Sequence, residues 1–548
     1  MAIVSTLLYF SLIYFIVRNL WKYTLQRSAY SALDNVPGPP SQSFWTGNLQ
    51  QLFDRHGWSF QEELAQKYGP VVKIHGPFGR RILYLYDPRA LHNMIIRDQV
   101  SFEEGSAFIH TNMLIFGPGL LSTLGEQHRR QRKMLNPVFS INHMRRLLPI
   151  FYQTSRKLCR AIIAEVNESP ENIDMLHWAT RVSLELIGQG GLGYSFDPLA
   201  EDVKNDYGEA LKSVFAALQG MFLLRPLVPC LSSMGPAWLR RLAVELLPYR
   251  PVQHLKSLID IMAEQSEEIF LKKRAALLQG DEAVVRQVGE GKDIMSILMN
   301  MNMSASECDR LSERELVAQL STMTLAATDT TANSLCRILH MLAQHEDTQA
   351  KLRDEIVAAG DGDNIPYDAL NRLPYLDAVV RETLRLYPPS TLLSREATTN
   401  TVLPLSQPII GIDGTLIDEL PIPAGTEVFV GILGSNTDKS TWGEDTLNWK
   451  PERWLEPLPE SVLEAPIPGV YSKLMTFLGG KRACIGFKFA ETEIKAVLSV
   501  LLPVFKFALT EKHVVWNVAT VNYPTVGTVD NRPRMPLKVS LIEDCQVL

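Results

Sequence analysis

The chain has 548 residues, 46% apolar and 21% charged, the balance of a globular protein with a large core. A net charge of −6 gives no support to nucleic-acid binding. The six cysteines are scattered without paired spacing, which argues against a disulfide framework or a zinc site and for a reducing compartment.

Residues 1–17 are almost wholly apolar, broken by Ser5, Thr6 and Ser11, and Arg18, Trp21, Lys22, Tyr23 and Arg27 follow at once. A secretory signal carries its positive charge before the apolar run. Here the order is reversed, which predicts an uncleaved anchor over residues 1–22, a single transmembrane helix with its basic flank in the cytosol. Val36-Pro37-Gly38-Pro39-Pro40 cannot be helix or inner strand and predicts a stiff hinge in a linker over 23–45. Length alone allows three or four domains. With no internal repeat, low-complexity tract or long linker, residues 46–548 read as one large domain.

Val71–His75 and Arg80–Tyr86 predict a hairpin around the turn residues Gly76-Pro77-Phe78-Gly79. Phe102–Leu121 reads as an irregular apolar stretch with glycines at 105, 117 and 119. Glu126–Met134 reads as a solvated basic helix face, with His128 and Arg132 four apart on one side. Its other cations, Arg129, Arg130 and Lys133, are suited to an acidic protein surface. From Tyr152 to Leu278 the pattern is mainly helical. Met221–Met234 interrupts it with an apolar run holding Pro226 and Pro229, which fits a buried loop and a loop dipping into a bilayer equally well. Gly280–Lys292 is charged and predicts a surface loop.

Ser312 and Glu315 form a capping box, and the helical pattern then runs to about Gln344, ~48 Å of helix. Its middle, Leu325-Ala326-Ala327-Thr328-Asp329-Thr330-Thr331, is a poor helix former and carries polar groups that need partners. Small residues let a ligand approach the backbone. A threonine can bond back to a carbonyl and open the helix. A carboxylate beside a hydroxyl can relay protons, which makes Asp329 and Thr330 candidate catalytic residues. Pro374–Tyr387 predicts a short helix with Glu382 and Arg385 on one face, stopped by Pro388-Pro389.

Phe477–Gly486 reads Phe-Leu-Gly-Gly-Lys-Arg-Ala-Cys-Ile-Gly, and a helix is predicted from Phe487 to about Leu502. Cys484 therefore precedes a helix N-terminus, where free amides favour a thiolate. Gly480 and Gly486 allow a sharp turn and close approach to a flat partner. Arg482 supplies a cation for acid groups. A thiolate, room for a ring and a cation for its acids describe an axial ligand site for haem iron.

The pattern Phe-x-x-Gly-x-Arg-x-Cys-x-Gly resembles the haem-binding signature of the cytochrome P-450 family, the haem-thiolate monooxygenases. The resemblance covers about residues 30 to 540 and implies a mainly helical triangular prism with small β-sheets, preceded by the transmembrane helix. It implies haem b with Cys484 on the iron, and Arg482, Arg132, His128 and Arg395 toward the propionates, with Phe477, Gly480 and Gly486 around the ring. His128 stands where the family has Trp. Ala326-Ala327-Thr328-Asp329-Thr330 is similar to the oxygen-activation motif, with Ala327 where Gly is usual. Glu382, Arg385 and Arg453 match a buried cluster, with Trp454 where Phe is more common. The loop covering the pocket is expected at Phe102–Leu121. Phe108, Ile109, Met113, Leu114, Ile115, Phe116, Leu392 and Leu393 are the expected lining, and Trp516–Val526 is similar to another lining segment. The activity implied is insertion of one atom of dioxygen into an apolar small molecule, a terpenoid, steroid or fatty acyl compound. Electrons would come from NADPH through NADPH-cytochrome P-450 reductase at the endoplasmic reticulum membrane, with the body cytosolic. The general style is similar to fungal enzymes of secondary metabolism. A haem-thiolate isomerase or dehydratase, a fatty-acid hydroxylase and a haem sensor are the alternatives.

Overall fold

The computed structural model describes residues 31–168, 172–199, 206–280, 291–360 and 364–542. The predicted anchor and most of the predicted loop at 280–292 lie outside them. Among the described residues no helix is long and apolar enough to cross a membrane.

The described chain folds as two compact units. The first comprises 31–103, 392–435 and 465–468 and is built on a five-stranded sheet. The hairpin forms as predicted: Val71–His75 pairs antiparallel with Arg81–Leu85, Val71 opposite Leu85. Phe78 takes a left-handed φ of 57° at its turn. Arg81–Leu85 pairs in parallel with Glu427–Gly431, which pairs antiparallel with Leu392–Ala397. Consecutive apolar side chains of the inner strands are buried, Ile82–Leu85 and Val428–Val430 among them, and form the unit's core. The proline-rich segment is bound against this sheet. The Pro37 carbonyl accepts from the Lys73 amide at 2.9 Å, and a Cβ at Gly38 would meet the Lys73 carbonyl oxygen at 1.8 Å.

The second unit, mainly helical, comprises 104–391, 436–464 and 469–542. Its helices include α1 (Ser106–Phe116), α2 (Gly125–Leu135), α3 (Ile141–Glu168), α4 (Met175–Leu186), α5 (Asp206–Gly220), α6 (Ala237–Glu245), α7 (Arg250–Gln279), α8 (Glu313–Gln344), α9 (Pro374–Leu386) and α10 (Phe487–Leu501). The capping box at Ser312 and Glu315 forms with both bonds present, and α8 is a 32-residue rod. It packs on α4, α7 and α10, so most of its surface is buried. Helix α10 also packs along α3, with the rings of Phe151 and Phe489 edge to face at 4.9 Å. Small sheets border the helices: Pro536–Leu541 lies between Phe505–Leu509 and Ile173–Asp174, and Val514–Asn517 pairs with Tyr523–Val526. The expected mainly helical architecture with small β-sheets is what the chain forms.

Two sequence expectations are corrected. Phe102–Leu121 is not irregular. Its middle is α1, which starts at Gly105 and stops at Gly117, whose φ is 78°. The apolar residues of that stretch are helix formers, and only the flanking glycines break the pattern. Met221–Met234 is not a buried loop. It forms a 3-10 turn, Phe222–Leu227, and a short helix, Val228–Ser232, with Leu224, Leu227, Leu231 and Met234 exposed. Pro229 fits because a helix tolerates proline in its first turn.

Candidate active site

The loop before α10 is closed by one backbone bond: the Cys484 amide donates to the Phe477 carbonyl at 2.9 Å. Leu478 (φ 54°) and Gly480 (φ 65°) take left-handed conformations that turn the chain back. Gly480 is needed for that reason. Gly486, at φ −91°, is in an ordinary region, so its backbone does not demand glycine. The Cys484 side chain lies deep among protein atoms yet is exposed. Both hold only if the thiol faces an internal cavity. Burial pushes the thiol up, against the Gly486 amide and the Arg132 charge, which pull it down. A bound metal ion would take the proton outright.

Cations gather around this thiol. Helix α2 places His128 and Arg132 on one face, as their spacing requires. Arg132 Nη1 donates to the Ala483 carbonyl at 2.7 Å. Arg482 donates to the Leu120 carbonyl at 3.3 Å and the Thr123 carbonyl at 2.8 Å, and its Nε stands 2.7 Å from Glu104 Oε2. His128 is buried and held down to about 3 by burial, then by Arg482, Arg132 and Lys481. The imidazole is therefore neutral and able to donate one hydrogen bond. Arg132, Arg482 and Lys481 set three cations near His128 and the thiol, with Glu104 against Arg482. A thiol among cations, with a neutral imidazole beside them, suits haem, whose two acid groups such cations would meet. Glu104 carries no signal in sequence, because a pair of acids before a glycine, Glu103-Glu104-Gly105, reads as solvent-facing.

The remaining cations of α2 are not free for a partner in the way the spacing suggests. Arg130 pairs with Glu315 at 2.7 Å, Lys133 with Asp309 at 2.9 Å and Arg129 with Glu126 at 2.8 Å. His128, Gln131 and Met134 are buried, so α2 is not a wholly solvated face. Arg395 stands in the first unit on strand Leu392–Ala397, buried, with Nη1 donating to the Ser394 carbonyl at 2.8 Å.

Helix α8 is buried along most of its length, but Ala326 is exposed and Ala327, Asp329 and Thr330 are partly accessible. Asp329 nevertheless lies deep in the unit. These side chains therefore present an inner wall. Thr330 Oγ1 donates to the Ala326 carbonyl at 2.7 Å, the back-bond its position allows. Burial pushes Asp329 up to about 7, against the Asn333 side chain, which lowers it. Asn333 Nδ2 donates to the Asp329 carbonyl at 2.9 Å and to Asp329 Oδ1 at 3.1 Å, so it orients the carboxyl. Asn333 escaped sequence reasoning, although it stands four residues on from Asp329. The hydroxyls of Thr328 and Thr331 are buried with no hydrogen-bond partner among the described residues. Of the expected lining, α1 carries Ile109, Ile115 and Phe116 inward, while Met113 and Leu114 are exposed.

Glu382 gathers its predicted partners. Arg385 grips it with Nε at 2.9 Å and Nη2 at 2.8 Å, and Arg453 Nε is 3.4 Å away. The Trp454 indole donates to Glu382 Oε2 at 2.9 Å, a bond that phenylalanine cannot make.

The comparisons with known proteins agree with this geometry. The cytochrome P450 family profile matches residues 37–527. The chain is 54% identical over 542 residues to cytochrome P450 monooxygenase 219 of Postia placenta, covering 98% of this chain and 99% of that protein. It is 56% identical over 514 residues to cytochrome P450 monooxygenase 81 of the same fungus, covering 94% of each. It is 47% identical over 518 residues to a ganoderic acid synthetase of Ganoderma lucidum, covering 93% and 94%. The chain belongs to the cytochrome P450 family. It is an oxidoreductase of the monooxygenase class, which works with haem, dioxygen and a redox partner on small molecules.

Proposed function

We propose that the enzyme inserts one atom of dioxygen into an apolar terpenoid, by hydroxylation or epoxidation, while anchored through residues 1–22 in the endoplasmic reticulum membrane with its body in the cytosol. The observation that carries the site assignment is the Cys484 thiol, deep yet accessible, with Arg132, Arg482 and Lys481 gathered near it. Cys484 would hold the iron of haem b as thiolate and lend it electron density. Arg132, Arg482 and neutral His128 would hold the propionates. Phe477, Gly480 and Gly486 shape the loop against the ring. Haem, when bound, supplies the redox chemistry that splits dioxygen.

The rest is proton handling by this chain. Asp329, with a carboxyl near 7, both holds and releases a proton at neutral pH. Asn333 fixes one carboxyl oxygen and leaves the other free to pass it on. Thr330 Oγ1 delivers it into the cavity by giving up its bond to the Ala326 carbonyl. The Ala327 methyl narrows the space beside it. Electrons arrive from NADPH through NADPH-cytochrome P-450 reductase. The ganoderic acid synthetase relative and the apolar inner face of α1 support a terpenoid substrate. The apolar-then-basic order at the N-terminus supports the anchor. The exposed Leu224, Leu227, Leu231, Met234 and Trp238 add a second lipid contact.

The test is a reconstitution with reductase, NADPH and a panel of terpenes. The reduced, CO-bound protein is expected to show the red-shifted Soret band of thiolate haem, and at least one terpene is expected to gain oxygen. Retention of that band in Cys484→Ser would refute the assignment. Deleting residues 1–23 should weaken membrane attachment and leave haem incorporation intact.

A further inference from the structure

On α8, the accessible stripe does not end at Thr330. Arg337 lies seven residues on, within about 20° of the same helix face and ~10 Å farther along the axis. Like Ala327, Asp329 and Thr330, it is deep but partly accessible. Its guanidinium carbon sits 4.0 Å from the centroid of the Tyr387 ring and 3.9 Å from that of Trp516. The indole is held in place: Trp516 Nε1 donates to His340 Nδ1 at 3.1 Å. His340 is neutral, held down to about 4 by burial and then by the Arg337 and His513 charges. No carboxylate or carbonyl among the described residues accepts from Arg337.

An unpaired guanidinium at this depth is costly, and contacts with aromatic faces offset only part of that cost. The two rings pack against the planar group, and its N–H edge has no acceptor among the described residues. That edge matches the two oxygens of a carboxylate lying in the same plane. Lysine could not be clamped in this way. Structural arginines in this molecule behave differently: Arg385, Arg453 and Arg181 all meet acids within the fold.

We propose that Arg337, clamped by Tyr387 and Trp516, binds the carboxylate of an otherwise apolar substrate or product. This site would place a carbon about 10 Å from the carboxylate beside Thr330. The inference rests on reading the Ala326–Thr330 stripe as the reaction face and adds to it a substrate with an acid end.

The haem-loaded, full-length enzyme is titrated with abietic acid and methyl abietate, and with dodecanoic acid and methyl dodecanoate. Binding is followed by the Soret shift and by competition. The wild type should bind at least one acid tenfold or more tightly than its ester. Arg337→Gln should bring that ratio close to one, chiefly by weakening the acid, and Arg337→Lys should keep part of the preference. The CO-bound spectrum of each variant checks folding and haem loading. Failure of the wild-type spectrum would sink the family-site reading instead, so the two failures are distinct. A wild type with no preference for either acid, or an unchanged ratio in Arg337→Gln with intact haem, overturns the carboxylate site. If Arg337→Gln does not fold, an Arg337→Lys variant with wild-type preference for acid over ester at every pH tested overturns the bidentate clamp.

Discussion

Two buried charge clusters in the second unit are built from similar residues and behave as opposites. Around Glu382 the account is closed: Arg385, Arg453 and Trp454 all point at one carboxylate, and Asp445 takes the remaining edge of Arg453 at 2.9 Å. Around Cys484 cations gather about a thiol instead: Arg132, Arg482 and Lys481 act on His128, and Glu104 meets Arg482. A buried ion network that serves only the fold must neutralise itself, because no solvent does so. One that gathers cations about a thiol is suited to a ligand. The contrast separates scaffold from site without reference to sequence motifs, and Arg337 falls with the site.

The comparison breaks first at the iron ligand, where the expected effect is complete. Cys484→Ser should abolish the red-shifted Soret band, while circular dichroism of the protein remains helical. Next comes the closed cluster. Glu382→Gln leaves Arg385 buried without its anion and Arg453 with Asp445 alone, and should cost about 3–5 kcal/mol of stability in chemical denaturation. Arg132→Gln, from the cluster around Cys484, should change apo-protein stability by less than about 1 kcal/mol but speed haem loss tenfold or more. Equal stability losses in the two variants would erase the distinction.

The proton relay sharpens the contrast through pH. Asp329 titrates near 7 when folded, against an ordinary 3.8. Between these values the folded state binds more protons than the unfolded one. Its contribution to stability is therefore fully present below about 4 and is lost as pH rises through about 7. Asp329→Asn should flatten the stability profile in that window and remove an inflection near 7 from turnover. Thr330→Ala keeps the helix, since alanine is the better helix former. It should keep haem and consume NADPH, but release hydrogen peroxide in place of product. Unchanged product per NADPH would remove Thr330 from the relay.

Much of this was legible in sequence because it rests on short-range rules. The α8 capping box, the hairpin at Val71–Leu85 and the α10 start after Cys484 each follow from spacing within a few residues. The triad of Glu382, Arg385 and Arg453 was legible through its motif and not through physics, since Arg453 lies 68 residues beyond Arg385 and nothing local joins them. What escaped were partnerships set by tertiary packing. Glu104 meets Arg482 from the far end of the unit's sequence, and Arg337 meets Trp516 across 179 positions. Of the two readings that the apolar 221–234 run allowed, the buried loop fails, because helical turns on a surface and buried loops share a composition. Its exposure is a property of the packed molecule.

The smallest effect concerns Trp454, and it tests how closed the closed cluster is. From sequence, the replacement of phenylalanine by tryptophan reads as a mild change of volume. In the structure the indole N–H is a further donor to Glu382, beside two guanidinium groups and the Lys450 amide. Hydrogen bonds to a charged acceptor contribute about 1.5–3 kcal/mol when the partner would otherwise be unsatisfied. Here Glu382 keeps both arginines, so the loss should fall at the lower end. Trp454→Phe removes the donor and shortens the ring, which still packs near Trp442, 5.7 Å away between centroids. We expect a loss of about 1–2 kcal/mol in denaturant midpoint analysis, with haem content and CO spectrum unchanged. In Glu382→Gln the charged acceptor is already gone, so adding Trp454→Phe should cost less than it does in the wild type. A double-mutant cycle measures that coupling directly. Strict additivity would mean that the indole bond carries nothing, and that Trp454 belongs to the core by packing alone.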